Sequence, residues 1–139
     1  MVEGLERIGD ELSRMNEWAK AVIFDSQARV IASKGFSVDT NELGPYVHAL
    51  ESRDHTIGAG FTLNKQHFDV HRFHPPLVYG RRGGPDEGEG IALCQAIRNG
   101  EQVFGVITYE LPVLSARAVP QLVEFCRKHI GTVEIPPPN

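Results

Sequence analysis

The chain lacks any apolar run near the roughly 18 to 20 residues that a membrane-spanning helix needs. Its opening stretch, MVEGLERIGDELSRM, is charged where a secretory signal would be apolar, so a cytoplasmic setting is expected. Basic residues are in deficit: 14 Lys and Arg against 18 Asp and Glu leave a net charge of -4, without the broad positive surface of a nucleic-acid binder. Cysteine is scarce. Cys94 in IALCQAI and Cys126 in LVEFCRKH lie in apolar patterns, form no C-x-x-C pair and are expected to be reduced thiols in or near the core. Gly58-Ala59-Gly60 and Gly83-Gly84 lack the Lys-Ser/Thr that completes a phosphate loop and read as turn glycines. Asp25-Ser26 and the scattered histidines come without a nucleophile elbow, and the chain has no internal repeat. No enzymatic activity is expected.

What is present suits one compact globular domain over 1–139: 139 residues, 41% hydrophobic and 23% charged. Residues 132–139 form a short Pro-rich tail ending in EIPPPN, a composition that favours polyproline II. Leu5, Ile8, Leu12 and Met15 recur at spacings of three and four, which predicts an amphipathic first helix. AVIF and ARVIAS flank the polar Asp25-Ser26-Gln27 and predict a hairpin. Asp39 or Thr40 caps a second helix ending near Arg53, with Glu42 in its first turn and Leu43, Val47 and Leu50 as its apolar stripe.

The second half alternates as strands do. In GAGFTLNKQHFDVHRF the pattern on either side of Asn64-Lys65 predicts a ladder pairing Phe61 and Leu63 with Phe68, Val70 and Arg72. Pro75 and Pro76 end it, LVYGRR is a further strand, and GGPDEGEG reads as an exposed loop with Asp86 and Glu87 solvated. GIALCQAI and QVFGVITYE form the strongest predicted hairpin, because Asn99-Gly100 suits a type I′ turn. Ser115 to Ile130 is a final helix in which Pro120 requires a later start or a kink. The fold class is α+β: an antiparallel β-sheet of about six or seven strands, with N- and C-terminal helices on one face and a helix on the other.

Six histidines raise the question of a metal. On a regular strand His67 and His71 share a face but stand roughly 13 Å apart, with His74 pointing the other way, so no metal and no cofactor are expected. The residues that stand out are forked donors: Arg72, Arg81 and Arg82 on the sheet and Arg117 on the last helix suit acidic groups of a protein partner.

The ordered set of pieces resembles the profilin family, as a divergent member. AVIFDSQARVIASKGFSV is similar to the family's first hairpin and the Gly-Phe that leads to its second helix, and Glu42 matches a Glu usual shortly after. GAGFTLNKQHFDVHRF, VYGRRG with GIALCQAI, and VFGVITYELPV resemble the strands that follow, so the likeness runs from about Gly4 to Ile130. The resemblance implies a monomeric, cytoplasmic and cytoskeletal protein that binds the actin monomer and regulates its polymerisation. It implies an actin face at His67, Arg72, Arg81, Arg117 and Gln121, with His67 standing where the family usually has Lys.

The resemblance also implies a groove between the terminal helices for proline-rich peptides, made here by Leu5, Ile8, Ile31, Phe125 and His129. The family's N-terminal Trp and Tyr and its hairpin Trp are missing, so poly-proline binding is expected to be weak or absent. Phosphoinositide binding is expected to be weak at most, because the basic residues are interleaved with Asp86, Glu87 and Glu89. A roadblock or longin-type adaptor module for small GTPases shares the early order of elements. The extra strand LVYGRR and the long last hairpin favour the profilin resemblance.

Overall fold

The computed structural model describes the backbone of residues 2–83 and 88–134, and the side chains from residue 7 onward within them. The expected loop tip at Asp86 and Glu87, the side chain of Leu5 and the prolines of the tail lie outside the described residues. Seven strands form one antiparallel sheet in the order β2-β1-β7-β6-β5-β4-β3. These are β1 (Lys20–Asp25), β2 (Val30–Lys34), β3 (Phe61–Leu63), β4 (Gln66–His74), β5 (Leu77–Arg82), β6 (Glu89–Arg98) and β7 (Glu101–Glu110).

Turn chemistry fixes the registers. Arg98 pairs with Glu101 across Asn99 (φ 53°) and Gly100 (φ 82°), the two positive angles that the type I′ turn requires. The Leu63–Gln66 pair closes a similar turn without glycine, at Asn64 (φ 52°) and Lys65 (φ 66°). The Glu42 carboxylate stabilises it by accepting both turn amides, at 2.8 Å each. In the first hairpin Asp25 Oδ1 accepts from the amides of Gln27 (2.9 Å) and Arg29 (3.0 Å).

The terminal helices lie on one face of the sheet, as the sequence pattern predicts. The first, α1 (Val2–Ser13), buries Ile8 and Leu12 beside Trp18, Leu122, Phe125 and Ile130. The last helix starts at Ser115 with Pro120 inside and exposed, and its final turn widens at Cys126–Ile130, where the Gly131 amide reaches the Cys126 carbonyl. Beyond it Thr132 pairs with Ile97 and Val133 is buried, so the predicted tail from 132 opens as a sheet contact.

The middle helix that the sequence predicts to end near Arg53 is two short pieces, and a further helix, not predicted, begins there. A 3-10 turn (Thr40–Glu42), capped by Asp39, leads into α2 (Gly44–Val47) and then α3 (Arg53–Ala59). Pro45 explains the break, because it donates no hydrogen bond and is tolerated only in the first turn of a helix. Ser52 then caps α3 by accepting the His55 amide. Gly58 and Ala59, expected in a turn, end α3, and only Gly60 (φ 70°) turns the chain into β3. With the last helix as α4 (Ser115–Phe125), α2 and α3 cover the second core, which is centred on Phe24, Tyr46, Phe61, Phe68 and Phe104.

One departure positions the functional face. Phe61 pairs with Phe68 and Leu63 with Gln66, but Val70 and Arg72 pair with Gly80 and Tyr79 of β5, leaving His71 unpaired in a bulge. Without that extra residue, Arg72 would point to the face opposite the one it takes.

Candidate protein-interaction face

The bulge turns both His71 and Arg72 into a cleft of about 510 Å3, completed by Tyr79, Gly80 and Arg81 of β5, Tyr109 of β7 and Ser115 at the start of α4. A cleft with two guanidinium groups and no carboxylate among its described lining residues suits an acidic group. Among the described residues neither Arg72 nor Arg81 forms an ion pair, and the shielded Nη2 of Arg81 has no hydrogen-bond partner. Asp69, opposite Arg81 in the ladder, lies 4.0 Å from His67 instead. Burial pushes the Tyr109 hydroxyl up to about 12, so it stays a neutral donor. Its ring fills the space of the side chain that Gly90 lacks: a Cβ there would come within 2.2 Å of it.

The other expected contacts are placed differently. Arg117 and Gln121, one turn apart on α4, lie outside the cleft and both bond the Glu17 carboxylate, at 2.5 and 3.0 Å. His67 sits toward the far end of β4, with Nε2 at 2.9 Å from the Ala59 carbonyl. The structure therefore gathers Arg72 and Arg81, sets Arg117 with Gln121 beside Glu17, and leaves His67 apart.

Arg82, expected among the free donors, is already engaged. Its Nε and Nη2 donate to Glu89 Oε1 at 3.1 and 2.9 Å, and Lys20 Nζ reaches Oε2 at 2.7 Å. Glu89 is 1% exposed, so it is no surface charge that could repel an anionic membrane, contrary to the sequence expectation. Burial would raise its carboxyl, but the bonds from Lys20 and Arg82 outweigh that and hold it below its ordinary value.

Between the terminal helices lies a smaller cleft of about 260 Å3, lined by Glu11, Met15, Gln121, Glu124, Phe125, Lys128 and His129. Phe125 and His129 of the expected groove are there, their rings 4.9 Å apart. Ile8 is fully buried beneath and does not open onto it, because α1 turns that residue to the sheet. Ile31 is half-buried against the same core. Trp18 stands edge-on to Phe125 at 5.5 Å, is 2% exposed, and donates its indole N–H to Gln121 Oε1 at 3.2 Å. The one Trp thus has neither a free face nor a free donor to offer a proline peptide, and the rim is charged, with Lys128 on Glu124 and His129 facing Glu11.

His71, Tyr79, Tyr109 and Ser115 of the main cleft, and Glu17 beside Arg117, escape a reading by alternation; for His71 the reason is the bulge, which alternation does not show. Gly80 is the available signal: a Cβ there would come within 1.8 Å of the Asp69 carbonyl oxygen, the close backbone approach that a glycine inside a strand marks. No described group of three His, Cys, Asp or Glu could hold a metal, and no described helix is long and apolar enough to cross a membrane.

A curved antiparallel sheet between paired terminal helices and a broken middle helix, with its open features on the surface, defines a binding module of the profilin type. The profile of the Profilin family matches residues 6–129. This chain belongs to the profilin family. Among solved structures it is similar to Acanthamoeba castellanii profilin IA, with a TM-score of 0.73 at 17% identity over 89% of this chain and 94% of that one. Profilin of Schizosaccharomyces pombe gives 0.66 at 18% identity, covering 89% and 94%. LokiProfilin1, in its complex with rabbit actin, gives 0.68 at 15% identity, covering 92% and 95%. A direct sequence comparison with curated proteins finds no match. The family match spans β5 and the β6–β7 hairpin, on which the adaptor reading differed, and sets that reading aside.

Proposed function

We propose that this profilin binds monomeric actin and restrains its assembly, using the face formed by the Arg72–Arg81 cleft and the adjoining Arg117 and Gln121. The observation that carries the reading is the shielded Arg81 Nη2, without a partner among the described residues, next to Arg72 in a cleft with no carboxylate among its described lining residues. Leaving a buried donor unsatisfied costs about 1–3 kcal/mol, more for a charged group, so an acidic group of a partner that fills the cleft recovers that cost. Family membership and the structural likeness to a profilin that is complexed with actin support the choice of partner. The protein acts by binding rather than catalysis, as a monomer in the cytoplasm, with a proline groove too weakly equipped to hold a ligand firmly.

Assembly kinetics of pyrene-labelled actin test the outcome. Wild type should slow spontaneous nucleation in proportion to its concentration, and an unchanged lag at saturating protein would refute sequestration.

A further inference from the structure

Glu17 lies in the short link between α1 and β1, a position with no evident reason to be ordered. The structure nevertheless holds it firmly. Its neighbour Trp18 is buried and bonded to Gln121, and the next amide, Ala19 N–H, donates to the Thr108 carbonyl at 2.8 Å, continuing the sheet. From this anchored link the Glu17 carboxylate faces α4, where one oxygen accepts from both Arg117 Nε and Gln121 Nε2. The bond from Arg117 is the main reason that the Glu17 carboxyl lies below its ordinary value, and the same bond raises the Arg117 guanidinium.

The face therefore has two halves of opposite character: Arg72 and Arg81 have no described acidic partner, whereas Arg117 and Gln121 already have one. We infer that Glu17 is an intramolecular latch, a carboxylate that occupies Arg117 and Gln121 in the free protein and that an acidic group of the partner must displace. This rests on the reading of the face given above. Glu17 thereby sets affinity and selectivity. A partner that presents a carboxylate to Arg117 takes over its place, and one that does not leaves the latch closed and meets its negative charge. Because the pair is largely exposed, with side chains 65% and 39% accessible, its effect on binding is modest and weakens with salt.

The test is the affinity for monomeric actin of wild type, Glu17→Gln, Arg117→Gln and the double variant at low ionic strength, with Trp18 emission confirming that each is folded. The latch predicts that Glu17→Gln binds about two- to fivefold more tightly than wild type, that Arg117→Gln binds more weakly, and that the gain disappears in the double variant. If Arg117→Gln weakens binding but Glu17→Gln does not strengthen it, the latch is wrong and the face stands. A gain from Glu17→Gln that persists without Arg117 is a general charge effect and also overturns the latch. If wild type does not bind actin, or if Arg117→Gln binds as well as wild type, the reading of the face fails and the latch falls with it.

Discussion

Lys65 adopts a left-handed backbone that costs a side chain about 1–2 kcal/mol, and the fold accepts this because Glu42 gathers the two turn amides. Lys65→Gly removes that cost at the price of a more flexible unfolded chain, and should raise stability by about 0.5–1 kcal/mol in urea unfolding. A destabilised variant would show that the lysine side chain has a role beyond the turn. Glu89 is the opposite case, a carboxylate whose environment is built around its charge. Removing one partner of such a buried group costs about 3–5 kcal/mol, so Glu89→Ala should lose at least about 3 kcal/mol in the same measurement. Glu89 titrates below its ordinary 4.5 and Asp25, through its bonds with Arg29 and Gln27 against the opposing effect of burial, below 3.8. Their stabilising effect is therefore complete above those values and is lost as pH falls through the lower folded ones. The melting temperature should fall below about pH 4.5, and a profile flat down to pH 3 would contradict this.

Individual elements were legible in proportion to how local their cause is. The Asn99-Gly100 hairpin and the inward faces of α1 and α4 follow from neighbours within a few residues, and both were readable. The predicted middle helix reads as one piece because its apolar stripe is continuous in sequence, whereas Pro45 divides it and the Ser52 cap starts α3 where the prediction ends. The bulge at His71 depends on how β4 meets β5, a pairing that strand periodicity does not encode, so Arg72 and Arg81 are legible in the sequence but the shared orientation of His71 and Arg72 is not. The groove between α1 and α4 was readable as poor in aromatics, but the burial of Trp18 against Phe125 needed the structure. Each missing aromatic contact forgoes about 0.5–1.5 kcal/mol, so a proline decamer should show no saturable binding at submillimolar concentration by calorimetry. Micromolar affinity would mean that Phe125 and His129 suffice.

At the scale of the whole molecule, the seven-stranded sheet separates two cores, and its consequence for function is a division of surfaces. The middle helices close one face. On the other, α4 lies beside the sheet so that its N-terminal turn meets β4 and β5 at the Arg72–Arg81 cleft while its far end meets α1. Fold class and strand order were within reach of the sequence because turn signals, apolar periods and the profilin resemblance agreed. The local identity of the face was not, since it arises where three strands and a helix end converge. The proposed partner of this basic face is monomeric actin. The most direct measurement is the affinity of the wild type and of Arg72→Glu/Arg117→Glu for monomeric actin, by sedimentation velocity under non-polymerising conditions. Truncation of charged interface anchors costs on the order of 1–3 kcal/mol each, so the doubly reversed protein should bind at least about tenfold more weakly while its melting temperature stays near that of the wild type. Equal binding by the two proteins would contradict the account.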